Sequence, residues 1–402
     1  MIRVRTIWCL AVLVASSSLR ADDWPRWRGP NLNGVSNEKG WLSTWPKEGP
    51  AQLWKTNVGV GFSSCSVAND RVYTMGNRNN QDTVYCFDSG TGKQVWAHSY
   101  PCDLDPKYYD GGTSCTPTVD GNKVYTFSRK GHVFCLESST GKVLWQKNIA
   151  RELGLEIPEW GFASSPVVEG DLILLNAGSG GLALNKDTGK VVWSSGKDGA
   201  GYSSAVPFSV GDKRFAALFV ARAVIAVDVR TGEQLWHHPW KTSYDVNAAD
   251  PIVFGDKVFI SSGYNHGCAL LQFTGSRVSV VWESKNMRTQ ISPAVMHNGF
   301  IYGADGDAGS AQLKCIDVQT GAAKWTQRNP DVSSLMIADG KLIVQGNRGE
   351  LLIVEAAPDA FKAIARAQVL GGKCWTTPVL ANGRIYCRNA QGDVVCLNVK
   401  GG

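Results

Sequence analysis

Six times this chain writes Thr-Gly, and each time a Trp follows within eight residues: Trp96, Trp145, Trp193, Trp236, Trp282 and Trp325. Five of the six copies share the spacing T-G-x-x-x-W, as in Thr140-Gly141-Lys142-Val143-Leu144-Trp145. Counted from Trp54, the tryptophans recur at intervals of roughly 42–49 residues, and a period of that length marks a repeat architecture. Most of the sequence therefore builds a scaffold, and function must be sought where the copies differ.

One copy suffices to define the unit. Cys115–Val119 reads as a strand, Asp120-Gly121-Asn122-Lys123 as a turn, Val124–Phe127 as a second strand rich in β-branched and aromatic residues. Val133–Leu136 is a third strand, Thr140-Gly141 a turn, and Val143–Trp145 a fourth. Four short strands per such period is the blade of a β-propeller. No segment keeps a 3.6-residue period over ten residues, which a helical repeat would need.

The ends set the blade count. The last copy, from Thr377 through Val394–Leu397, lacks its fourth strand, whereas Gln52-Leu53-Trp54 is a fourth strand with no third before it. Joining the two closes the ring and removes two exposed edges. The expectation is an all-β chain forming a single eight-bladed β-propeller over 51–402, four antiparallel strands per blade, closed by the strand near Trp54. First strands are expected near Ser64, Cys115, Ser165, Ser204, Ala249, Ser292, Ser334 and Thr377. Blade seven is the least typical, carrying Pro358-Asp359 and Ile364 in place of the Thr-Gly-Trp phrase.

Ahead of the propeller lie two segments. Residues 1–21, with Arg3 and Arg5, an apolar run from Ile7 to Ala15 and Leu19-Arg20-Ala21, read as a cleaved signal peptide, and no Cys marks a lipid anchor at the cleavage point. Periplasmic or secreted localisation is expected. Residues 22–50 form an N-terminal extension whose Trp and Arg content favours packing on the propeller. Removing Arg3, Arg5 and Arg20 takes the formal charge from +6 to about +3, too near balance for nucleic acid. No further stretch is apolar enough to span a membrane, and a monomer is expected.

Cys86, Cys135, Cys315 and Cys396 share one third-strand slot, filled by Ala183 and Ala226 in other blades, so the slot wants a small buried group. Cys102 and Cys115 flank a loop in a chain read as exported and can pair. The absence of C-x-x-C removes the usual zinc and haem-attachment patterns.

The phrase Val133-Phe134-Cys135-Leu136-Glu137, then Thr140-Gly141-Lys142 and Trp145, resembles the PQQ-like (pyrroloquinoline quinone) β-propeller repeat, and the resemblance covers about residues 51–402. Trp24-Pro25-Arg26-Trp27-Arg28-Gly29-Pro30 is similar to the leader of many exported members. The resemblance implies that Trp54, Trp96, Trp145, Trp193, Trp236, Trp282 and Trp325 link neighbouring blades and bind no cofactor. It also implies two kinds of function. Quinoprotein alcohol or sugar dehydrogenases hold the quinone and Ca²⁺ on the propeller axis; non-enzymatic members, such as the BamB-like propellers nearest in size and organisation, act in envelope assembly. This chain has no adjacent Cys pair and no segment matching the dehydrogenase signature. Asp305-Gly306-Asp307-Ala308-Gly309 resembles the start of a calcium loop, but its place between strands favours a plain turn.

The expectation is therefore a non-enzymatic binding or scaffold module with no cofactor and no metal, its partner a cell-envelope protein or peptide or a small-molecule ligand. The alternative is a PQQ- and Ca²⁺-dependent oxidoreductase. No catalytic residue is assigned. His237-His238 reads as a solvated pair. Ser63-Ser64, Ser164-Ser165 and Ser203-Ser204 recur at first-strand starts, where hydroxyls satisfy a crowded axis. Ligand-binding candidates come from the variable loops over the central funnel: Tyr109, Asp110, Glu159, Trp160, Phe162, Tyr202, Arg222, Asp245, Asn247, Arg288, Arg348, Trp375 and Arg388.

Overall fold

The computed structural model describes residues 23–328 and 331–401; the signal-peptide reading lies outside them. The repeat phrase folds as expected into eight antiparallel sheets, each with four propeller strands in meander order. The inner strands are Ser66–Ala68, Thr118–Asp120, Val167–Glu169, Val206–Val210, Ile252–Phe254, Val295–His297, Val332–Ala338 and Val379–Ala381, for blades one to eight. Closure is as expected too. Gln52–Asn57 pairs antiparallel with Asp393–Asn398, setting Trp54 opposite Cys396. Helix is confined to short loop segments such as Ile149–Leu153.

The third-strand slot has a physical reason. Cys86, Cys135, Cys315 and Cys396 each lie between a second-strand Tyr and a fourth-strand Trp in the cross-strand register. The small side chain lets the two rings meet over it, with centroids 5.9 Å apart for Tyr73–Trp96 and 6.2 Å for Tyr125–Trp145. In blades three and four Ala fills the slot, beside Leu174 and Ala217. Blade five replaces the set with Phe259, Leu270 and Trp282. Cys102 and Cys115 do not pair. All ten described cysteines are free and buried, and the Cys115 thiol instead faces the Phe127 carbonyl.

Each repeat tryptophan reaches the next blade. The indole N–H of Trp54, Trp96, Trp145, Trp193, Trp282 and Trp325 donates to a carbonyl of that blade at 2.9–3.0 Å. The Gly of the neighbouring Thr-Gly turn lies against the ring: Gly92 on Trp54, Gly141 on Trp96, Gly189 on Trp145, Gly232 on Trp193 and Gly321 on Trp282. Blade four to blade five is the exception. Trp236 Nε1 finds no acceptor among the described residues, and Gly275 has no neighbour on its open side. The indole packs on Phe273 instead. Blade seven, lacking Thr-Gly, still receives the Trp325 bond at Ala357 and sets Phe361 against the ring.

The leader does pack on the propeller, and it does so in the axial channel. Trp24 pairs with Val67 of blade one, Pro25 accepts from Val119 of blade two, and the Arg26 guanidinium donates to Val168 of blade three. Leu32 enters the apolar cluster shared by blades three and four. Trp27 reaches Asp250 of blade five, Arg28 donates to Ala294 O of blade six at 3.0 Å, and Val35–Ser36 adds a parallel strand inside blade seven. Asp23 and Glu38 bind the Asn382-Gly383 turn of blade eight. The segment thus ties all eight blades from within.

The glycine–indole contact is testable. Gly141 has φ +74° and a Cβ there would lie 2.6 Å from the Trp96 ring, whereas Gly275 has φ +58° and open space. Gly141→Ala should lower stability by about 2–4 kcal/mol, combining positive-φ strain with overpacking. Gly275→Ala should lose only about 1 kcal/mol from strain. Equal shifts in urea midpoint for the two variants would refute the latch.

Candidate functional site

The loops entering the inner strands surround an axial cup of about 370 Å³. Hydroxyls form its lower ring. Ser64 N donates to Thr116 Oγ1 (3.1 Å), Thr116 N to Ser165 Oγ (2.9 Å), Ser165 N to Ser204 Oγ (2.9 Å) and Ser204 N to Asp250 Oδ1 (2.7 Å). These side chains occupy one slot in successive blades and satisfy backbone donors where the strands crowd the axis.

The floor comes from the leader. Trp27 lines the cup and its indole N–H donates to Asp250 Oδ2 at 2.6 Å, while Arg28 Nε lies 3.8 Å from the same oxygen. Burial raises the Asp250 carboxyl above its ordinary range, opposed by Arg28, and burial likewise lowers the Arg28 guanidinium. The walls are aromatic. Phe62 stacks on Trp375 with centroids 5.6 Å apart and touches Tyr109 at 5.7 Å. Across the mouth Trp160 meets Tyr202 edge-on at 6.0 Å and Tyr244 at 6.3 Å, and Tyr244 meets Tyr264 at 5.4 Å. Tyr108, Tyr244 and Tyr264 all have φ between 54° and 61°, a left-handed backbone rare for aromatic residues.

The expected residues divide three ways. Tyr109, Trp160, Tyr202 and Trp375 line the cup. Burial raises the Tyr109 and Tyr202 phenols above their ordinary range, so both stay neutral hydrogen-bonding groups at neutral pH. Around the mouth the charges are paired: Asp110 with Lys373 (2.5 Å), Glu159 with Lys107 (3.6 Å), Arg222 with Asp245 (3.0 Å), and Arg288 with Asp305 through two bonds of 2.9 Å. Arg348 is exposed and joins none of these pairs among the described residues.

Phe162, Asn247 and Arg388 lie in the interior instead. Phe162 packs on Phe127, and Asn247 donates to the carbonyls of Val220, Ala221 and Trp240. Arg388 donates to the carbonyls of Ser63, Met75 and Gly59 and to Thr74 Oγ1; burial lowers its guanidinium to about 10. These three hold loops in place.

Trp27, Tyr264, Asp250 and Asp307 complete the cup without having been singled out as ligand-binding residues. A signal for Asp250 existed: it puts an acid where Ser64, Thr116, Ser165 and Ser204 put hydroxyls. Trp27 carried none, because only the folded leader brings it to the axis.

The donor set can be tested against pyrroloquinoline quinone, a flat tricyclic tricarboxylate that needs cationic partners and hard-oxygen ligands for Ca²⁺. The aromatic walls suit a flat ring. Lys107 is the one basic side chain in the lining, no Arg belongs to it, and Asp250 is held by the leader. Among the described residues no group of three or more His, Cys, Asp or Glu is placed to hold a metal ion. The residues present do not fit the quinone–calcium pair. No helix among the described residues is long and apolar enough to cross a membrane.

The fold and cup define a PQQ-like eight-bladed propeller with a leader-floored axial site. The chain belongs to the family described as outer membrane protein assembly factor BamB, whose model matches residues 80–327, more than half of the sequence. It is similar in structure to BamB from Moraxella catarrhalis, with TM-score 0.61 and 15% identity over 88% of this chain and 98% of that one. It is also similar to the quinohemoprotein alcohol dehydrogenase from Comamonas testosteroni, with TM-score 0.71 and 14% identity over 96% of this chain and 82% of that one. A europium-containing methanol dehydrogenase gives TM-score 0.67 and 12% identity over 92% and 90%. Identities this low speak for the fold alone. No curated protein matches the chain.

Asp305 anchors the turn that carries Asp307 and Ala308 to the wall. Its side chain is inaccessible and is gripped by Arg288 and Lys314. Burial alone would raise this carboxyl, but the two cations outweigh it and hold it below the usual range. A depressed carboxylate stabilises the fold above its unfolded pKa, about 3.9, and that contribution is lost as pH falls through the lower folded value. Asp305→Asn should therefore lose about 3–5 kcal/mol at pH 7, with the difference from the parent shrinking below about pH 4. Urea melts across pH measure both; a constant difference down to the acid limb would contradict the ion-pair assignment.

Proposed function

We propose that this protein is an exported, non-catalytic binding module that presents its axial cup to a ligand or partner in the cell envelope. The observation that carries the reading is the occupation of the axis by the leader. Trp27 engages Asp250 and floors the cup, leaving an aromatic bowl with most of its rim charges paired. Such a surface favours binding through ring faces, and a few polar groups set orientation. Membership of the BamB-described family and the similarity to a solved BamB support an envelope role. The N-terminal sequence, with its basic, apolar and small-residue segments, supports export.

The second reading, a quinone-dependent oxidoreductase, is favoured by the wide structural coverage of the alcohol dehydrogenase and opposed by the lining. Reconstitution with pyrroloquinoline quinone and Ca²⁺ separates the two. The expected outcome is no dye-linked oxidation of alcohols or sugars. Saturable turnover abolished by Asp307→Asn would overturn the binding-module reading. In parallel, capture of envelope components by the full chain should fall at least tenfold in Trp160→Ala, with a melting temperature close to the parent's.

A further inference from the structure

We propose that the cup is a lectin-type site for a neutral saccharide, the size of a mono- or disaccharide. This rests on the reading of the cup as a binding site and names its ligand class. Three independent features converge on it. Ring faces come first. Trp375 and Trp160 stand in two separate aromatic clusters of the wall, and the C–H faces of a pyranose pack on such rings. Tyr108 is almost wholly exposed at 95%, and Tyr244 at 72%. Both are held in left-handed backbone, which costs about 1–2 kcal/mol each and is the kind of strain that persists at binding loops.

Charge is the second feature. Most of the mouth charges are matched within the protein, Asp110 with Lys373, Glu159 with Lys107 and Asp245 with Arg222, while Asp307 and Arg348 join none of these pairs among the described residues. An ionic ligand would compete with these pairs, whereas a polyol leaves them intact.

The third is the mixture of donors and acceptors on the floor. Ser165 and Ser204 each accept one backbone N–H, and among the described residues neither hydroxyl donates, so each keeps its hydrogen for a ligand. Thr377, Ser114 and Gln290 also belong to the lining and add polar groups to it. Asp307 contributes a carboxylate that accepts the Tyr264 N–H at 2.7 Å. Alternating donors and acceptors beneath aromatic faces match vicinal hydroxyls. A quaternary ammonium would meet useless donors, and an extended peptide would meet a floor closed by Trp27.

The test titrates the full chain with neutral disaccharides ending in glucose, mannose, galactose or N-acetylglucosamine, alongside insoluble polysaccharides with the same ends, choline and a proline-rich peptide. Tryptophan fluorescence and calorimetry are the readouts. One saccharide, free or as a polymer end, should saturate the cup, with affinity unchanged by added salt and weakened at least tenfold in Trp160→Ala and in Trp375→Ala. Val192→Ala, on the outer strand Val191–Ser194 of blade three, should bind as the parent does. Saturation by choline or the peptide with the same tryptophan dependence, and by no saccharide, would overturn the ligand class and leave the binding-site reading standing. Binding of no probe, with envelope capture unaffected by Trp160→Ala, would bring down both.

Discussion

An indole laid against a glycine of the next blade is the contact on which this ring depends. A blade has one apolar face too many to survive alone, and stacking neighbours buries it. The Trp–Gly contact sets how close the neighbours come. The ring supplies area while its N–H claims one carbonyl, so distance and register are fixed together. Glycine is required on the far side for two separate reasons: the turn takes positive φ, and no Cβ fits over the ring. Where one requirement lapses, the whole device changes. At Gly275 the space is open, Trp236 Nε1 is without an acceptor, and Phe273 takes up the packing. The longer spacing between Thr274-Gly275 and Trp282 is the trace of that substitution in the sequence.

A period, a turn residue and a small-residue slot are local signals, and the fold was readable from them. The Thr-Gly-Trp phrase names the blade, and the mismatched ends name the closing strand. The Cys and Ala slot follows from a Tyr and a Trp that must touch across it. The cup was only half readable. Tyr109, Trp160, Tyr202 and Trp375 sit in loops that stand out because they break the repeat. Phe162, Asn247 and Arg388 break it too, yet face inward, because loop polarity does not reveal which side of the backbone a side chain takes. Arg388 shows the difficulty most sharply. A guanidinium in a turn near the funnel reads as a ligand, but the carbonyls of Ser63, Met75 and Gly59 claim it for the interior. The leader's Trp and Arg content pointed to packing, but its path along the axis was beyond reach for a different reason: the blades that it touches are spread over the whole chain, from Val67 to Asn382.

That leader changes what the axis can do. A propeller channel without it would run through the molecule and be lined by backbone edges of eight inner strands. Filling it with Trp24 through Ser36 satisfies those edges, as the Val35–Ser36 strand does on blade seven, and converts a channel into a cup with one mouth. The hydroxyl ring and the plug meet at Asp250. That carboxylate accepts from Ser204 N on one oxygen and from Trp27 on the other, so it completes the sequence of Ser and Thr side chains and anchors the floor in one residue.

The consequence for chemistry follows from the same residue. A buried carboxylate on the axis is the natural place to seek a catalytic base or a cation ligand. Here both oxygens already accept hydrogen bonds, and the Arg28 guanidinium stands beside it. Burial raises its proton affinity and the Arg28 guanidinium opposes that rise, while the hydrogen bond from Trp27 ties the same carboxylate to the floor. At the axis this carboxylate is engaged in holding the leader against the inner strands. On the proposed binding role recognition falls to the mouth, where the aromatic side chains are fixed by their loops and most ionic groups are matched to one another. In the proposed binding role such a site would bind by shape and ring faces, and its selectivity would lie in hydroxyls, such as those of Ser165 and Ser204, that accept a backbone N–H and do not donate among the described residues.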